Sequence, residues 1–280
     1  MTEHDLEPGR RRLLDEYNAA DNYDIGEDDT GVAFYSALAR ETGGPVLELG
    51  CGTGRVAIPI ARLGLDVTGV DAVPGMLAQA RRKSEAADVP VRWVEADARD
   101  FDLGVRFRLV FLTGNTFMAF LTNADQEAVL RCAYAHLHDD GLLAFETRNP
   151  RWRGMAPGPD PYLPQRAEGK GVFAFLETRE EEGDDETYTD VAGRDVRSTL
   201  TQAYDHVTQV LQWTGYHRWH EDGELKTSIG GVAVRFTFPQ ELDALLHYNG
   251  FDIVQRYGDW DLSPLTAVSH SIIVVCRKRL

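Results

Sequence analysis

The chain is predicted to be an α/β protein built on a doubly wound, mostly parallel sheet of seven strands. Three observations carry that prediction. Short apolar runs alternate with segments of helical period from Pro45 to Arg148. The runs are apolar at nearly every position, as strands covered on both faces require. After Arg148 the pattern turns Pro- and Gly-rich and then alternates with period two, which adds an antiparallel β insertion behind the fifth strand.

The elements follow in order. LLDEYNAA and VAFYSALARETGG carry apolar positions near the helical period, and Gly43-Gly44 stops the second of them. Between them lies a polar segment, DNYDIGEDDTG, with Tyr23 in its middle. PVLELG is the first strand, and RVAIPIARLG the helix after it, ended by Gly64. Asp66 to Asp71 is the second strand, followed by the helix VPGMLAQARRKSEAA. VRWVEAD and FRLVFLTG are the third and fourth strands, with a helix from about Asn123 to His138. GLLAFETR is the fifth strand. NPRWRGMAPGPDPYLP cannot be regular structure. VFAFLETR, DVRSTLTQAYD, TQVLQWTGYHRWH and VAVRFTF then alternate with period two, and EDGE, Glu221 to Glu224, joins two of them as a hairpin. PQELDALLHYNG is a helix with Pro239 in its first turn and Gly250 as its stop. FDIVQRYG and SHSIIVVCRK complete the sheet. The organisation expected is therefore an N-terminal helical lid over 1–43, a core over 44–150 and 239–280, and the insertion over 151–238 as a substrate cap.

Bulk properties exclude some functions. Acids outnumber bases by 45 to 29 over 280 residues, a net charge of −16. Such a surface repels phosphate backbones, so no nucleic-acid partner is expected. Part of the excess sits in EEEGDD, Glu180 to Asp185, read as a solvated hairpin tip. No apolar run is long enough to span a bilayer, and the charged N-terminus lacks a secretory h-region, so no membrane partner is expected. The three cysteines, Cys51, Cys132 and Cys276, have no metal-like spacing and read as buried free thiols of a cytoplasmic protein. No His/Cys/Asp cluster with ligand spacing appears, so no catalytic metal is expected.

The stretch that carries chemistry is VLELGCGTGR, Val46 to Arg55, with VTGVDAV after it. Gly50, Gly52 and Gly54 follow an apolar strand at spacing two, and Asp71 closes the next strand. Glycine lets a backbone turn sharply and approach a ligand with no Cβ in the way. An acid at the tip of the second strand can accept both hydroxyls of a ribose. The dinucleotide fingerprint G-x-G-x-x-G is a competing reading. Here the spacing is G-x-G-x-G, and Glu48 stands two residues ahead of the first glycine, where a pyrophosphate would be poorly served and a cation well served.

This E-x-G-x-G-x-G form resembles motif I of the class I S-adenosylmethionine-dependent methyltransferases, of the Rossmann-like fold. The resemblance covers residues 44 to 148 and, less closely, the last forty residues. It implies S-adenosylmethionine as cofactor, with S-adenosylhomocysteine as product. The three glycines would pass under its methionine and ribose portions, and Glu48 would face the sulfonium or amino end. Asp71 would hold the ribose hydroxyls, and Met76 would cover adenine. EADARDF, Glu95 to Phe101, resembles the family's third signature. Asp97 would there accept from the adenine amine and Ala98 offer its backbone N–H to the ring. In LTGNTFMAF, Gly114 or Asn115 would meet the methionine carboxylate by backbone contacts.

A methyl acceptor must lie at the carboxyl ends of the strands. Candidate residues there are Tyr23, the run Glu146 to Asn149 with Arg148, and the insertion's Trp152, Trp213, Tyr216 and His217. Glu146 ends an apolar strand, where a raised pKa would suit a general base. Tyr23 would hydrogen-bond the substrate or relay a proton. His217 and His220 are three apart, so a strand turns at most one of them inward. The layout also resembles small-molecule methyltransferases of actinobacterial secondary metabolism, which act on amino-sugar nitrogen or indole carbon, and YGDWDLSPL, Tyr257 to Leu265, resembles a loop they carry. The insertion's aromatics slightly favour a flat, indole-like acceptor at carbon. N- or O-methylation of an amino sugar or phenol, or cofactor binding without transfer, are the alternatives, and a homodimer is possible.

Overall fold

A computed structural model of the chain describes residues 29–150, 186–190 and 193–279. Within them, seven strands form one sheet. β1 is Val46–Leu49, β2 Val67–Asp71, β3 Arg92–Glu95, β4 Phe107–Leu112 and β5 Leu137–Arg148. β10, Phe251–Tyr257, and β11, Ser271–Lys278, complete it in the order β10-β11-β5-β4-β1-β2-β3. The first five strands pair in parallel. β11 runs antiparallel to both β5 and β10. The strand order reverses between β1 and β4, and a crevice opens at such a switch point outside the carboxyl ends of the strands.

Alternation along the strands sorts two cores onto the two faces. Leu47, Leu49, Val110, Leu112, Leu143, Phe145 and Val274 pack with α4, Asn123–His136, and α5, Pro239–Tyr248. Val46, Leu109, Phe111, Ala144 and Val275 pack with α1, Val32–Thr42, and α2, Ala57–Ala61. Phe117 stacks on Phe145 with ring centroids 4.5 Å apart, and both are fully buried, so Phe117 is core. α3, Pro74–Ala86, begins on Pro74, whose missing N–H costs nothing in a first turn. Thr122 caps α4 by accepting the Asp125 N–H at 3.0 Å.

β6 Glu186–Thr189, β7 Asp195–Asp205, β8 Val210–Glu221 and β9 Glu224–Arg235 form a second, antiparallel sheet in that order. The β8–β9 turn is Asp222-Gly223, with φ of 53° and 79°. Two left-handed residues make the tight turn whose twist matches the strands, and Asp-Gly is the pair that adopts it most readily. The sheet is joined to the core at its base, where Val210 and Ala233 bury against Leu121. There Arg235 reaches Gln126 at 3.2 Å and Glu241 at 2.6 Å. The helix expected over LLDEYNAA, the Pro-rich segment from Arg151 onward, the strand over VFAFLETR and the acidic tip all lie outside the described residues.

Candidate active site at the carboxyl ends of the parallel strands

The glycine loop leaves β1 folded back on β2. Gly50 N and Cys51 N both donate to the Val70 carbonyl, at 2.8 and 3.0 Å. Gly50, Gly52 and Gly54 have φ of 69°, 53° and 79°, where a Cβ is strained. Their surroundings differ. A Cβ on Gly50 would come within 2.4 Å of Thr116, and one on Gly54 within 2.6 Å of the Trp93 ring, whereas one on Gly52 would meet nothing within 4 Å. Gly50 and Gly54 thus allow close packing, and Gly52 is the position whose bare backbone faces open space.

Asp71 fixes that backbone. Its two oxygens accept the Gly52 N–H at 2.7 Å and the Val73 N–H at 2.9 Å. Ionised, the carboxylate keeps further lone pairs for a diol. Burial raises its pKa, and these N–H donors oppose the rise.

Glu48 is 1 % exposed at the end of β1. Burial pushes its pKa well above the carboxylate range, with Arg55 and the Ala57 backbone N–H pulling the other way. Its Oε2 is buried with no hydrogen-bond partner among the described residues. An orphaned acceptor of that kind is costly unless something donates to it.

Glu146 lies on the same face as Glu48. Phe111 pairs with both Glu48 and Ala144, and Glu146 is two residues beyond Ala144 along β5. It is 3 % exposed. Oε1 accepts from Asn115 N at 3.0 Å and Thr113 Oγ1 at 3.5 Å, and Oε2 is in hydrogen-bond contact with the Tyr35 hydroxyl. Burial raises its pKa, opposed first by the Tyr35 contact. Tyr35, from α1, is fully buried and stacks on Phe111 at 4.7 Å.

The geometry shows what several of the expected residues already contact. Glu146 does not face an open pocket as a free base; both of its oxygens are engaged. The N–H groups of Gly114 and Asn115 are turned onto Glu146 and are not free to meet a carboxylate. Asp97 is held by Arg99, which reaches both of its oxygens at 2.7 to 3.2 Å, so an adenine amine would compete with a guanidinium. β8 keeps unbroken register with β7 and β9 from Val210 onward. Trp213 and His217 therefore share one face and Tyr216 takes the other, so the insertion's aromatics do not converge on one pocket. His217 pairs with the Tyr188 hydroxyl at 3.3 Å, within that second sheet. Arg148 is exposed. Met76, 3 % exposed, and Ala98, 9 % exposed, lie beyond the ends of β2 and β3. Tyr23 and Trp152 lie outside the described residues.

Three residues lie in segments that the sequence singles out, but sequence reasoning gave them no role of their own. Arg55, just after Gly54, donates to the Thr30 carbonyl at 2.6 Å and lies 4.0 Å from where a Cβ on Gly114 would stand. Asn149, at the end of β5, donates to the Thr266 and Ser269 carbonyls and takes the His270 carbonyl on its own N–H, pinning the loop between β10 and β11. From that loop Trp260 packs against Phe34 and Tyr35, with ring centroids 5.8 and 6.0 Å away. Arg55 carried a signal, being a cation inside the glycine motif. The other two contacts join segments far apart in the chain.

Residues 46–141 match the Methyltransferase domain family. The cypemycin N-terminal methyltransferase of Streptomyces sp is 26% identical over 255 residues, 89% of each protein. The structure of the CcbJ methyltransferase from Streptomyces caelestis superposes with a TM-score of 0.69 at 26% identity, over 93% of this chain and 96% of that one. A Geobacillus sp. (strain WCH70) methyltransferase relative is 31% identical over 104 residues, 37% of this chain, and the match spans only 42% of that relative's length.

The sheet order, the glycine loop with its two acids and these matches are those of class I S-adenosylmethionine-dependent methyltransferases, whose domain the chain carries over residues 46–141. Its whole-length likeness is to enzymes of the natural-product type. The residues suit the cofactor: bare backbone at Gly52, a fixed carboxylate at Asp71, and at Glu48 a buried acceptor awaiting a donor.

Proposed function

We propose that the enzyme methylates an amine nitrogen on a small natural product or short peptide. The observation that carries this reading is the pair of acids at the ends of β1 and β2, where Glu48, 1 % exposed, lies within electrostatic reach of Asp71. Such a site favours cations over anions or phosphate esters. Likeness along 89% of the chain to a protein named an N-terminal methyltransferase supports an amine. An indole carbon is the second reading. What favours it is the cluster of Phe34, Tyr35, Tyr257 and Trp260, since the insertion's Trp213 and Tyr216 face opposite ways.

When bound, S-adenosylmethionine supplies an electrophilic methyl on a sulfonium. The chain's own work is then to bind, orient and exclude water. Gly52 gives the close backbone approach, and Asp71 accepts from the ribose hydroxyls. Glu48 Oε2 accepts from the donor's ammonium. Arg55 meets the methionine carboxylate, taking the place expected of the Gly114 and Asn115 amides. Met76, Asp97 and Ala98 border the adenine. Orientation of this kind supplies roughly 7–11 kcal/mol of a barrier in well-aligned cases. Trp260, on the loop pinned by Asn149, walls the acceptor side.

An acceptor panel tests the reading. Amino sugars, peptides with a free N-terminus, indoles and phenols are incubated with enzyme and cofactor, and the gain of one CH₂ is followed by mass. Methylation of amines is expected; methylation of indoles alone, with every amine inert, would overturn it.

A further inference from the structure

Tyr35 and Glu146 meet where α1 crosses the end of β5, and one proton count gives every contact of the pair a proton of its own. The Tyr35 hydroxyl lies 3.0 Å from the Leu112 carbonyl oxygen and also contacts Glu146 Oε2. A phenol carries one proton, and a backbone carbonyl only accepts. Were Glu146 a carboxylate, the single phenol proton would have to be shared between two acceptors in a three-centre bond, weaker toward each than a bond of its own. Neither side chain has water to relieve that, at 0 % and 3 % exposure. With a proton on Oε2 every group is matched. Glu146 donates to Tyr35, Tyr35 donates to Leu112, and Oε1 remains a carbonyl oxygen accepting from Asn115 and Thr113.

We infer that Glu146 is a neutral carboxylic acid that relays through Tyr35 and holds the 113–115 turn, a positioning residue and not the base for the acceptor's proton. Gly114 and Asn115 are both left-handed, with φ of 67° and 59°, and the Asn115 N–H of that turn is the one donated to Glu146. Burial acts in the same direction on Glu146. The charged and titratable groups around the pair are Tyr35 from α1, Glu48 from β1 and Arg55 from the glycine loop. One acid, Glu48, and one cation, Arg55, thus face the pair, so neighbouring charge does not set its protonation state and the contacts do. The catalytic consequence rests on the methyl-transfer reading; the protonation state does not.

Infrared difference spectra of the full chain, wild type minus Glu146→Gln, without cofactor at neutral pH, read the state directly. Loss of a protonated-carboxyl C=O band is expected; loss of carboxylate bands instead overturns the inference. Tyr35→Phe removes the acceptor of that proton, so the wild-type C=O band should move to higher frequency, and an unmoved band overturns it. That second spectrum also serves if Glu146→Gln does not fold. In Glu146→Gln the amide can donate to Tyr35 and accept from Asn115. Turnover should stay within about threefold with an unmoved pH profile, whereas losing a general base costs roughly 10²–10⁴-fold, which would overturn the assignment. The infrared arms need no acceptor, so they stay decisive if methyl transfer itself fails.

Discussion

Glu48 shows how a binding residue can weaken the fold that carries it. Its buried oxygen has no donor among the described residues, and burial raises its pKa. An acid with a raised pKa in the folded state binds its proton more tightly there than in the unfolded chain. Stability is then present at low pH and falls as pH climbs from the ordinary carboxylate value through the raised one. Asp71 and Glu146 are shifted in the same direction. Glu48→Gln should therefore melt higher than wild type without cofactor near pH 8, with a shallower loss of stability above about pH 5, as calorimetric scans across pH would show. The same variant should bind S-adenosylmethionine more weakly. Asp71→Ala removes the carboxylate that holds Gly52 and Val73. Its affinity for S-adenosylmethionine by titration calorimetry should fall at least about tenfold, the scale of one hydrogen bond to a charged group; wild-type affinity would remove Asp71 from the ribose. At this scale the glycines and the acids were legible, because their chemistry lies in local spacing. The commitment of Glu146 was not, since Tyr35 comes from 111 residues away.

Elements were legible wherever a local device set them. Asp222-Gly223 specified its hairpin, and Pro239 and Pro74 opened their helices. Gly223→Ala should destabilise by roughly 1–2 kcal/mol, because a Cβ is unfavourable at a left-handed position. Urea denaturation, with an unchanged midpoint as the contrary result, checks it. β5 was less legible. The sequence pattern carries the helix to about His138 and starts the strand at Gly141, yet the strand begins at Leu137 and runs through Asp139 and Asp140. Its register with β4 jumps there, from Phe107–Leu137 to Leu109–Leu142, so the polar residues sit in an irregularity that one-dimensional alternation does not reveal. The loop between β10 and β11 was recognisable as a loop, but the three hydrogen bonds from Asn149 that shape it were not. Asn149→Ala should raise KM for the acceptor and leave cofactor affinity near wild type, since Asn149 ties the Trp260 loop and is remote from Asp71 in chain and strand order. Steady-state kinetics with varied acceptor, beside cofactor titration, separates the two effects.

At the scale of the molecule, a net charge of −16 means the native state works against its own field. Raising salt from about 10 mM to about 150 mM shortens the screening length from about 30 Å to about 8 Å. The melting temperature should rise over that range, and a fall would show that attractive pairs such as Arg235–Glu241 dominate. The sheet's composition was legible, because parallel strands must be apolar throughout. The placement of β11 was not, since nothing in an apolar run says which neighbours it will have. That placement reaches into biosynthesis. β10 joins the sheet only through β11, the strand translated after it. While the ribosome has yet to release Ser271–Lys278, β5 presents a bare, sticky flank and β10 has nowhere to dock. A nascent chain stalled just short of Ser271 would be chaperone clientele, however complete its cofactor pocket.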